Sequence, residues 1–300
     1  MNSLPVAETL TKTAIHPATR VGSVHYTVAD LSRQTSFYQD ILGFSLLRRE
    51  GNSAVLGAGD SELLRLTEVP GAQRARRTTG LYHTAFLVPT RWELAHLVRQ
   101  IAQTRTPIQG TSNHGTHLAI YLPDAEGNGI ELAWDFPKEA WPMKDGKMDL
   151  ASMPRSGVDI DELMGELERN PASWTGLDAN TRVGHVHLHV ADLETSQQFY
   201  HNLLGFDVVL NSPDFGALFV SAGGYHHHIG MNIWNGVGAP PPPADAIGLR
   251  TFSIALPDKA ELQRLVARLQ RAQAEMTETP DGVLLCDPSH NGVLLRAADN

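Results

Sequence analysis

Apolar and polar residues follow one another in the same order several times along this chain. VGSVHYTVAD at 21–30 alternates with a period of two and is rich in β-branched and aromatic residues, which predicts a strand. LSRQTSFYQDIL then places Phe37, Ile41 and Leu42 on one helical face and ends at Gly43, which predicts a helix. Three strand-like runs follow, SLLRRE, SAVLGAG and ELLRLTE. Together these segments predict one βαβββ module.

A second module with this order begins at Gly80. Its first strand is LYHTAFLVP, its amphipathic helix is RWELAHLVRQIAQ, and its extended runs are PIQGTS, HLAIYLP and GIELAWD. The segment DAEGNG between the last two runs supplies Asp, Asn and Gly for a hairpin turn.

The two modules are then repeated. Residues 21–44 and 183–206 are identical at thirteen of 24 positions, at a constant offset of 162. GLYHTAFLVP at 80–89 likewise matches GLRTFSIALP at 248–257. The sequence therefore predicts four modules, two in each half of the chain.

The repeat also predicts the domain boundaries. Residues 1–20 are an N-terminal extension, 21–135 a first domain, 136–182 a connector and 183–300 a second domain. The connector contains one short helix, predicted from Ile160, Leu163, Met164 and Leu167 at helical spacing. The PPPP run at 240–243 is incompatible with a helix or a central strand and predicts a loop between the third and fourth modules.

Composition narrows the class of protein. Of the 300 residues 42% are hydrophobic and 19% charged, as in globular proteins, and the net charge of −9 disfavours nucleic-acid and membrane partners. The single cysteine, Cys286, excludes an internal disulfide and a cysteine-rich zinc site. No segment has the length or apolarity of a signal peptide or a membrane span, so we expect a cytoplasmic protein.

Four short motifs carry a family resemblance: V-x-D-L, F-Y and L-G-F, which follow one another in both halves, and D-x-x-G-N-G-I-E in the first half. With them the chain resembles the vicinal oxygen chelate superfamily, which includes glyoxalase I, bleomycin-resistance proteins and type I extradiol dioxygenases. GLYHTAFLVP, YLPDAEGNGIE and GGYHHHIGMNIW look like the two-domain, catechol-2,3-dioxygenase-like members. The resemblance implies an α+β fold in which four βαβββ modules pair into two half-barrel domains.

The resemblance also implies a metal site in the first half. Extradiol dioxygenases hold Fe(II) with two histidines and one glutamate, and the matching positions include His83 and Glu131. The third position is occupied by Ser23, a poor ligand, so we expect His25, two residues further on the same strand face, as the third ligand. The alternative is that His25 is a packed histidine. Fe(II) is the expected metal, with Mn(II) or another divalent ion as alternatives.

The second half has the opposite defect. His185 occupies the first-strand ligand position, but Thr251 and Leu294 stand where His83 and Glu131 stand in the first half. We therefore expect no equivalent triad there. Six histidines of this half are expected in a domain interface or a packed polar network: His185, His187, His189, His226, His227 and His228.

Two further residues match extradiol enzymes. His114 stands where such enzymes keep a histidine near dioxygen, and Tyr121 stands at the family's tyrosine position, ten residues before Glu131. The resemblance implies acid–base work for His114 and substrate orientation for Tyr121. His117 is a nearby alternative to His114.

The leading hypothesis is an extradiol ring-cleaving dioxygenase that acts on a catecholic substrate and dioxygen, as a homodimer by analogy. A glyoxalase-like metal-dependent lyase or isomerase is one alternative, with Glu62 as its candidate fourth ligand. A non-catalytic small-molecule binding protein is the other, and Ser23 in a ligand position keeps it open.

Overall fold

The structure, a computed structural model, describes residues 14–144, 147–149, 152–154 and 156–298. Most of the expected N-terminal extension, residues 1–13, lies outside this range. All four expected modules are present. Their strands and helices are β1 (Arg20–Val28), α1 (Leu31–Ser36), β2 (Ser45–Glu50), β3 (Ser53–Ala58) and β4 (Ser61–Glu68) in the first; β5 (Gly80–Leu87), α2 (Arg91–Thr104), β6 (Gly110–Asn113), β7 (His117–Pro123) and β8 (Gly129–Asp135) in the second.

The connector contributes β9 (Met143–Lys144), β10 (Lys147–Met148) and α3 (Ile160–Arg169), so its expected helix is confirmed. The remaining elements are β11 (Arg182–His189), α4 (Leu193–Gln197), β12 (Asp207–Ser212), β13 (Ala217–Ser221) and β14 (Ile229–Asn232) in the third module; β15 (Gly248–Leu256), α5 (Lys259–Arg271), β16 (Thr277–Thr279), β17 (Gly282–Cys286) and β18 (Gly292–Ala297) in the fourth. The PPPP run forms the expected loop between these modules.

The aspartate of the V-x-D-L motif starts a helix in each half. The Asp30 side chain accepts a hydrogen bond from the backbone N–H of Arg33, and Asp192 does the same for Thr195. Each α-helix continues into a short π-helical segment, Phe37–Ile41 or Gln198–Leu203. The motif is therefore explained by helix capping.

The strands form two eight-stranded sheets, and each sheet takes one module from each half. The first sheet has the order β16-β17-β18-β15-β1-β4-β3-β2 and joins modules four and one. The second has the order β12-β13-β14-β11-β5-β8-β7-β6 and joins modules three and two. This topology corrects the expectation that the two modules of one half close a half-barrel of their own.

Buried tyrosine–aspartate contacts hold the two sheets together. The Tyr38 hydroxyl of module one donates to Asp124 Oδ2 of module two, over 3.2 Å, and Tyr200 of module three donates to Asp287 Oδ2 of module four, over 2.9 Å. Both tyrosines belong to the F-Y motif and both aspartates begin the matching turns. Among the described residues, no helix is long and apolar enough to cross a membrane.

Candidate metal centre

Three neighbouring strands of the second sheet bring a histidine pair and a glutamate together. β11 runs antiparallel to β5, and β8 runs parallel to β5 on its other side. Ala85 on β5 pairs with His185 on β11 and with Glu131 on β8, while His83 lies two residues before Ala85 on the same strand. His83, Glu131 and His185 thereby reach one point from three strands.

The side chains of these residues are in close contact. Glu131 Oε2 lies 3.0 Å from His83 Nε2 and 3.2 Å from His185 Nε2, and the two Nε2 atoms are 3.4 Å apart. The other carboxylate oxygen, Oε1, lies 3.0 Å from His117 Nε2. Each of these four side chains is buried.

These donor atoms fit a divalent cation. Glu131 Oε1 is buried and has no hydrogen-bond partner among the described residues, although His117 Nε2 lies 3.0 Å away. His83, Glu131 and His185 each offer a ligand atom, and these atoms all lie within 4.8 Å of one another, close enough for one cation to contact all three. Two imidazoles and one carboxylate are the ligand set of non-haem Fe(II) sites, and they also suit other divalent ions.

Burial and mutual contact set the protonation of the cluster. Burial alone would raise the pKa of Glu131, but the surrounding histidines, His185 first, hold that pKa well below its usual value. Burial lowers the pKa of His185, which favours the neutral imidazole that binds metals. The cluster thus offers an ionised carboxylate beside the neutral imidazole of His185.

His25, expected as the third ligand, does not reach this cluster. It lies on β1 in the first sheet, where its Nε2 is 2.8 Å from Thr67 Oγ1. Burial, assisted by Arg250 and Arg65, lowers the pKa of His25 to about 4. The reason for the correction is strand pairing: β1 pairs with β15 and β4, and β11 takes the place beside β5.

The first sheet carries no matching ligand set. Ser23, Thr251 and Leu294, the counterparts of His185, His83 and Glu131, all lie on its central strands β1, β15 and β18. No metal-ligating group among the described residues includes any of them. The sequence shows which ligand positions are replaced in each half and predicts them in separate half-barrels. In the structure all three replaced positions lie in one sheet.

His114 and Tyr121, the expected acid–base and orienting residues, lie together beside the cluster. His114 Nε2 is 2.8 Å from the Tyr121 hydroxyl, and Tyr121 is the cross-strand partner of Glu131. Burial lowers the pKa of His114 to about 4 and raises the pKa of the Tyr121 phenol. His114 is therefore neutral and Tyr121 keeps its proton near neutral pH.

His226 and His227, expected in an interface or a polar network, line the same cavity as the metal cluster, whereas His228 contacts Ser221. His226 Nδ1 is 2.9 Å from His227 Nδ1, and His226 Nε2 is 3.1 Å from Asp135 Oδ1. The His227 ring lies 4.1 Å from the His185 ring, measured between centroids. The sequence contains a signal for the role of His185. The first half has Ser23 in place of a first-strand histidine, and the second half has His185 without the other two ligands.

A second cluster, His117, Asp135 and His226, also brings ligand atoms close together. Its two imidazole rings are stacked, with centroids 4.6 Å apart and planes inclined by 14°. His226 Nε2 contacts Asp135 Oδ1 over 3.1 Å, and His117 Nε2 contacts Glu131 Oε1 over 3.0 Å. His117 therefore joins the second cluster to the first.

A cavity of about 460 Å³ opens over the histidine–glutamate cluster. Its polar floor includes His114, Tyr121 and His187, and no lysine or arginine is among the described residues that line it. Its walls are apolar and come from the connector and the third module: Met148, Met153, Val209, Leu210, Phe215, Phe219 and Trp234. The cavity suits an uncharged organic ligand.

Comparison with known proteins identifies the family to which this chain belongs. The family model of the Glyoxalase/Bleomycin resistance protein/Dioxygenase superfamily matches residues 20–132 and 182–284. The chain belongs to this superfamily. Within the superfamily it is 40% identical, over 281 residues, to the catechol-2,3-dioxygenase of Bacillus subtilis (strain 168), an alignment that covers 92% of this chain and 96% of that protein.

Solved structures of the superfamily share the fold. A putative dioxygenase from Bacillus subtilis superposes with a TM-score of 0.65 at 12% identity, covering 97% of this chain and 87% of that one. Glyoxalase I from Zea mays superposes with a TM-score of 0.58 at 18% identity, covering 93% and 92%. At these identities the likeness concerns the scaffold alone.

Gly129, the second glycine of the G-N-G motif, allows strands β8 and β5 to lie close together at the site. A Cβ on Gly129 would lie 2.0 Å from the backbone oxygen of Tyr82 and 3.2 Å from the Cα of His83. Only glycine lets β8 approach β5 so closely. The motif thus helps to bring Glu131 beside His83.

Proposed function

We propose that this protein is an extradiol dioxygenase that cleaves the ring of a catecholic substrate, with a divalent metal held by His83, Glu131 and His185. The observation that carries the proposal is the buried two-histidine, one-carboxylate cluster at the floor of an apolar cavity. The full-length similarity to a catechol-2,3-dioxygenase supports it. Fe(II) is the preferred metal and Mn(II) the second choice.

The proposed reaction inserts both atoms of dioxygen into the substrate. The carbon–carbon bond beside the two hydroxyls breaks, and the product is a muconic semialdehyde-type acid, so no external reductant is consumed. When bound, the metal would supply Lewis acidity and electron transfer between the aromatic diol and dioxygen. The protein must then position the diol, move its proton and keep water out.

His114 and Tyr121 are suited to the proton step. The Tyr121 hydroxyl and His114 Nε2 share a hydrogen bond of 2.8 Å, and the Tyr121 oxygen can also accept a hydrogen bond from a diol hydroxyl in the cavity. The raised pKa of Tyr121 keeps the phenol protonated, so it orients a substrate oxygen by a hydrogen bond. These roles agree with those implied by the sequence.

A second proton carrier lies on the opposite side of the cluster. The His227 ring packs against the His185 ring, and His227 connects through His226 to Asp135. The low polarity around His227 lowers its pKa well below the usual value, so the ring is neutral near neutral pH. We propose that His227 and His114 share the acid–base work.

The cavity also favours one kind of catechol. Its volume of about 460 Å³ exceeds the needs of a single unsubstituted ring, and its walls are apolar. No lysine or arginine that would pair with a carboxylate substituent is among the described lining residues. We propose a catechol with an alkyl or aryl substituent as the substrate class. Cytoplasmic location and a homodimer remain predictions.

The residues that favoured the two alternative functions lie outside the metal cluster. Glu62, the candidate fourth ligand of a glyoxalase-like site, lies on β4 in the first sheet and pairs with Arg65 over 3.3 Å. Ser23, which favoured a metal-free binding protein, also lies outside the cluster, because His185 occupies the place beside β5.

The test is metal analysis followed by oxygen uptake. Protein purified without an affinity tag is reconstituted with Fe(II) or Mn(II) in separate samples and supplied with catechol, 4-propylcatechol or protocatechuate. We expect stoichiometric oxygen uptake with a yellow ring-cleavage product, highest kcat/KM for 4-propylcatechol, and none in Glu131→Gln. Failure to bind either metal, together with no uptake on any diol, would falsify the dioxygenase proposal.

A further inference from the structure

A second, larger cavity lies between the two inter-module loops. It measures about 850 Å³ and is lined by residues 74–81, from the loop between modules one and two and the start of β5, and by residues in 241–250, from the loop between modules three and four and the start of β15. None of the described residues lines both this cavity and the one over the metal cluster. The Tyr82 ring, 5.1 Å from His189 and 5.0 Å from His187, stands between them.

Positive side chains dominate this cavity. Four arginines line it: Arg74, Arg76, Arg77 and Arg250. No aspartate or glutamate is among its described lining residues, although the whole chain has a net charge of −9. We call this cavity the arginine cleft.

The guanidinium groups of the arginine cleft form no ion pair within 4.0 Å with a described residue. Arg76 and Arg77 make no hydrogen bond with a described residue through their side chains, and Arg250 uses only its Nε, which donates to Thr27 Oγ1 over 2.6 Å. Several N–H donors per arginine therefore remain available.

Arg74 is fixed in place by neutral partners. Its Nη1 is 3.3 Å from Asn128 Oδ1 and 3.4 Å from the backbone oxygen of Glu126. Although Arg74 is exposed overall, burial of part of its side chain lowers its pKa, and Asp124 offsets only part of that shift. A bound anion would offset the rest of that shift.

The backbone of the arginine cleft is also held in an unusual conformation at two places. Arg77 has a φ of +56° and His290 a φ of +64°, both in the left-handed region that side chains other than glycine rarely adopt. Both residues line the cleft. Such conformations are often found where side chains are positioned for binding.

We propose that the arginine cleft binds a small organic anion carrying two or more phosphate or carboxylate groups. Guanidinium groups pair with both kinds of oxyanion through two parallel hydrogen bonds. The guanidiniums on the loop between modules one and two and that of Arg250 on β15 provide separate anchors for two groups. The cleft volume admits a ligand of the size of a sugar bisphosphate. This binding site is independent of the proposed ring cleavage.

Cys286 provides a local reporter of binding. It is the single cysteine of the chain, it is exposed, and it lines the arginine cleft. The metal-loaded protein is labelled with an uncharged maleimide in the presence of fructose 1,6-bisphosphate, succinate or, as a neutral control, fructose. We expect the bisphosphate, the succinate or both to slow labelling saturably, fructose to have no effect, and added salt to weaken the protection.

Variants localise the binding. Arg74→Ala/Arg250→Ala should weaken protection by at least about tenfold, the effect of losing a charge-assisted hydrogen bond. Arg76→Ala/Arg77→Ala removes two exposed guanidiniums and tests the same site if the first variant folds poorly. The matched control, Arg48→Ala/Arg271→Ala, changes exposed arginines outside the cleft and should bind as the parent protein does.

Two results would overturn the proposal. One is that neither the bisphosphate nor the succinate slows Cys286 labelling more than sodium chloride does at equal ionic strength. The other is undiminished protection in both folded cleft variants, which would mean an adventitious ion effect only. Oxygen uptake is not used in either readout, so the outcome does not depend on the dioxygenase proposal.

Discussion

Glu131 lies at the middle of the proposed metal centre. It contacts His83, His185 and His117 while almost fully buried, so its charge needs a compensating cation. We predict that Glu131→Gln and His185→Gln each weaken Fe(II) or Mn(II) binding by more than about tenfold, since outer-shell changes alone cost ~10–100-fold. Equilibrium metal titration of the apoprotein measures this effect.

His25→Gln is the matched control for that titration. His25 lies in the other sheet and contacts Thr67, so the variant should retain the metal affinity of the parent protein. A loss of affinity in His25→Gln with none in His185→Gln would restore the ligand set expected from the sequence and contradict the one described above.

The sequence was sufficient for two of the three proposed ligands. His83 and Glu131 follow motifs that are local in the chain, and their strands β5 and β8 belong to one module. His185 is 102 residues from His83, and its contribution depends on which strand pairs with β5. Ser23 and His185 occupy equivalent repeat positions, so only the pairing of modules decides between them.

At the level of elements, the tyrosine–aspartate contacts between the sheets are expected to stabilise the fold. Asp124 Oδ2 and Asp287 Oδ2 each accept one tyrosine hydroxyl and one asparagine amide inside the core. We predict that Tyr38→Phe and Tyr200→Phe each lower the free energy of unfolding by about 1–3 kcal/mol, because a buried carboxylate loses a donor. Urea denaturation followed by circular dichroism measures the loss.

The design of that experiment includes a control and an additivity test. Tyr82→Phe removes a hydroxyl from a partly exposed ring and should leave unfolding nearly unchanged. The two buried sites share no residue, so the double variant should equal the sum of the single losses within about 0.5 kcal/mol. Unchanged stability in both single variants would show that these contacts are dispensable.

The four modules could be read from the sequence because each depends on local signals. Strand alternation, the Asp30 and Asp192 helix caps and the glycine turns all lie within about ten residues of the elements they define. Module pairing depends on contacts between distant strands, such as β1 with β15. The first strands of all modules alternate similarly, so their pattern does not select a partner.

For the whole molecule, the interleaved sheets make each half depend on the other. The second sheet obtains His83 and Glu131 from the first half and His185 from the second, so neither half alone contains the complete cluster. Two copies of the first half, arranged as the two halves are here, would pair β1 of one copy with β5 of the other. Ser23 would then stand where His185 stands in the full chain.

This equivalence predicts how a fragment of residues 1–135 behaves. We expect it to form a dimer with weak metal binding, and Ser23→His to raise its metal affinity by at least about tenfold by restoring the missing imidazole. Analytical ultracentrifugation measures assembly and metal titration measures affinity; Ser23→Gln serves as the control for side-chain size. A well-folded dimer whose affinity is the same with serine, glutamine or histidine at position 23 would contradict the proposed equivalence, because the strand beside β5 would then not supply the third ligand.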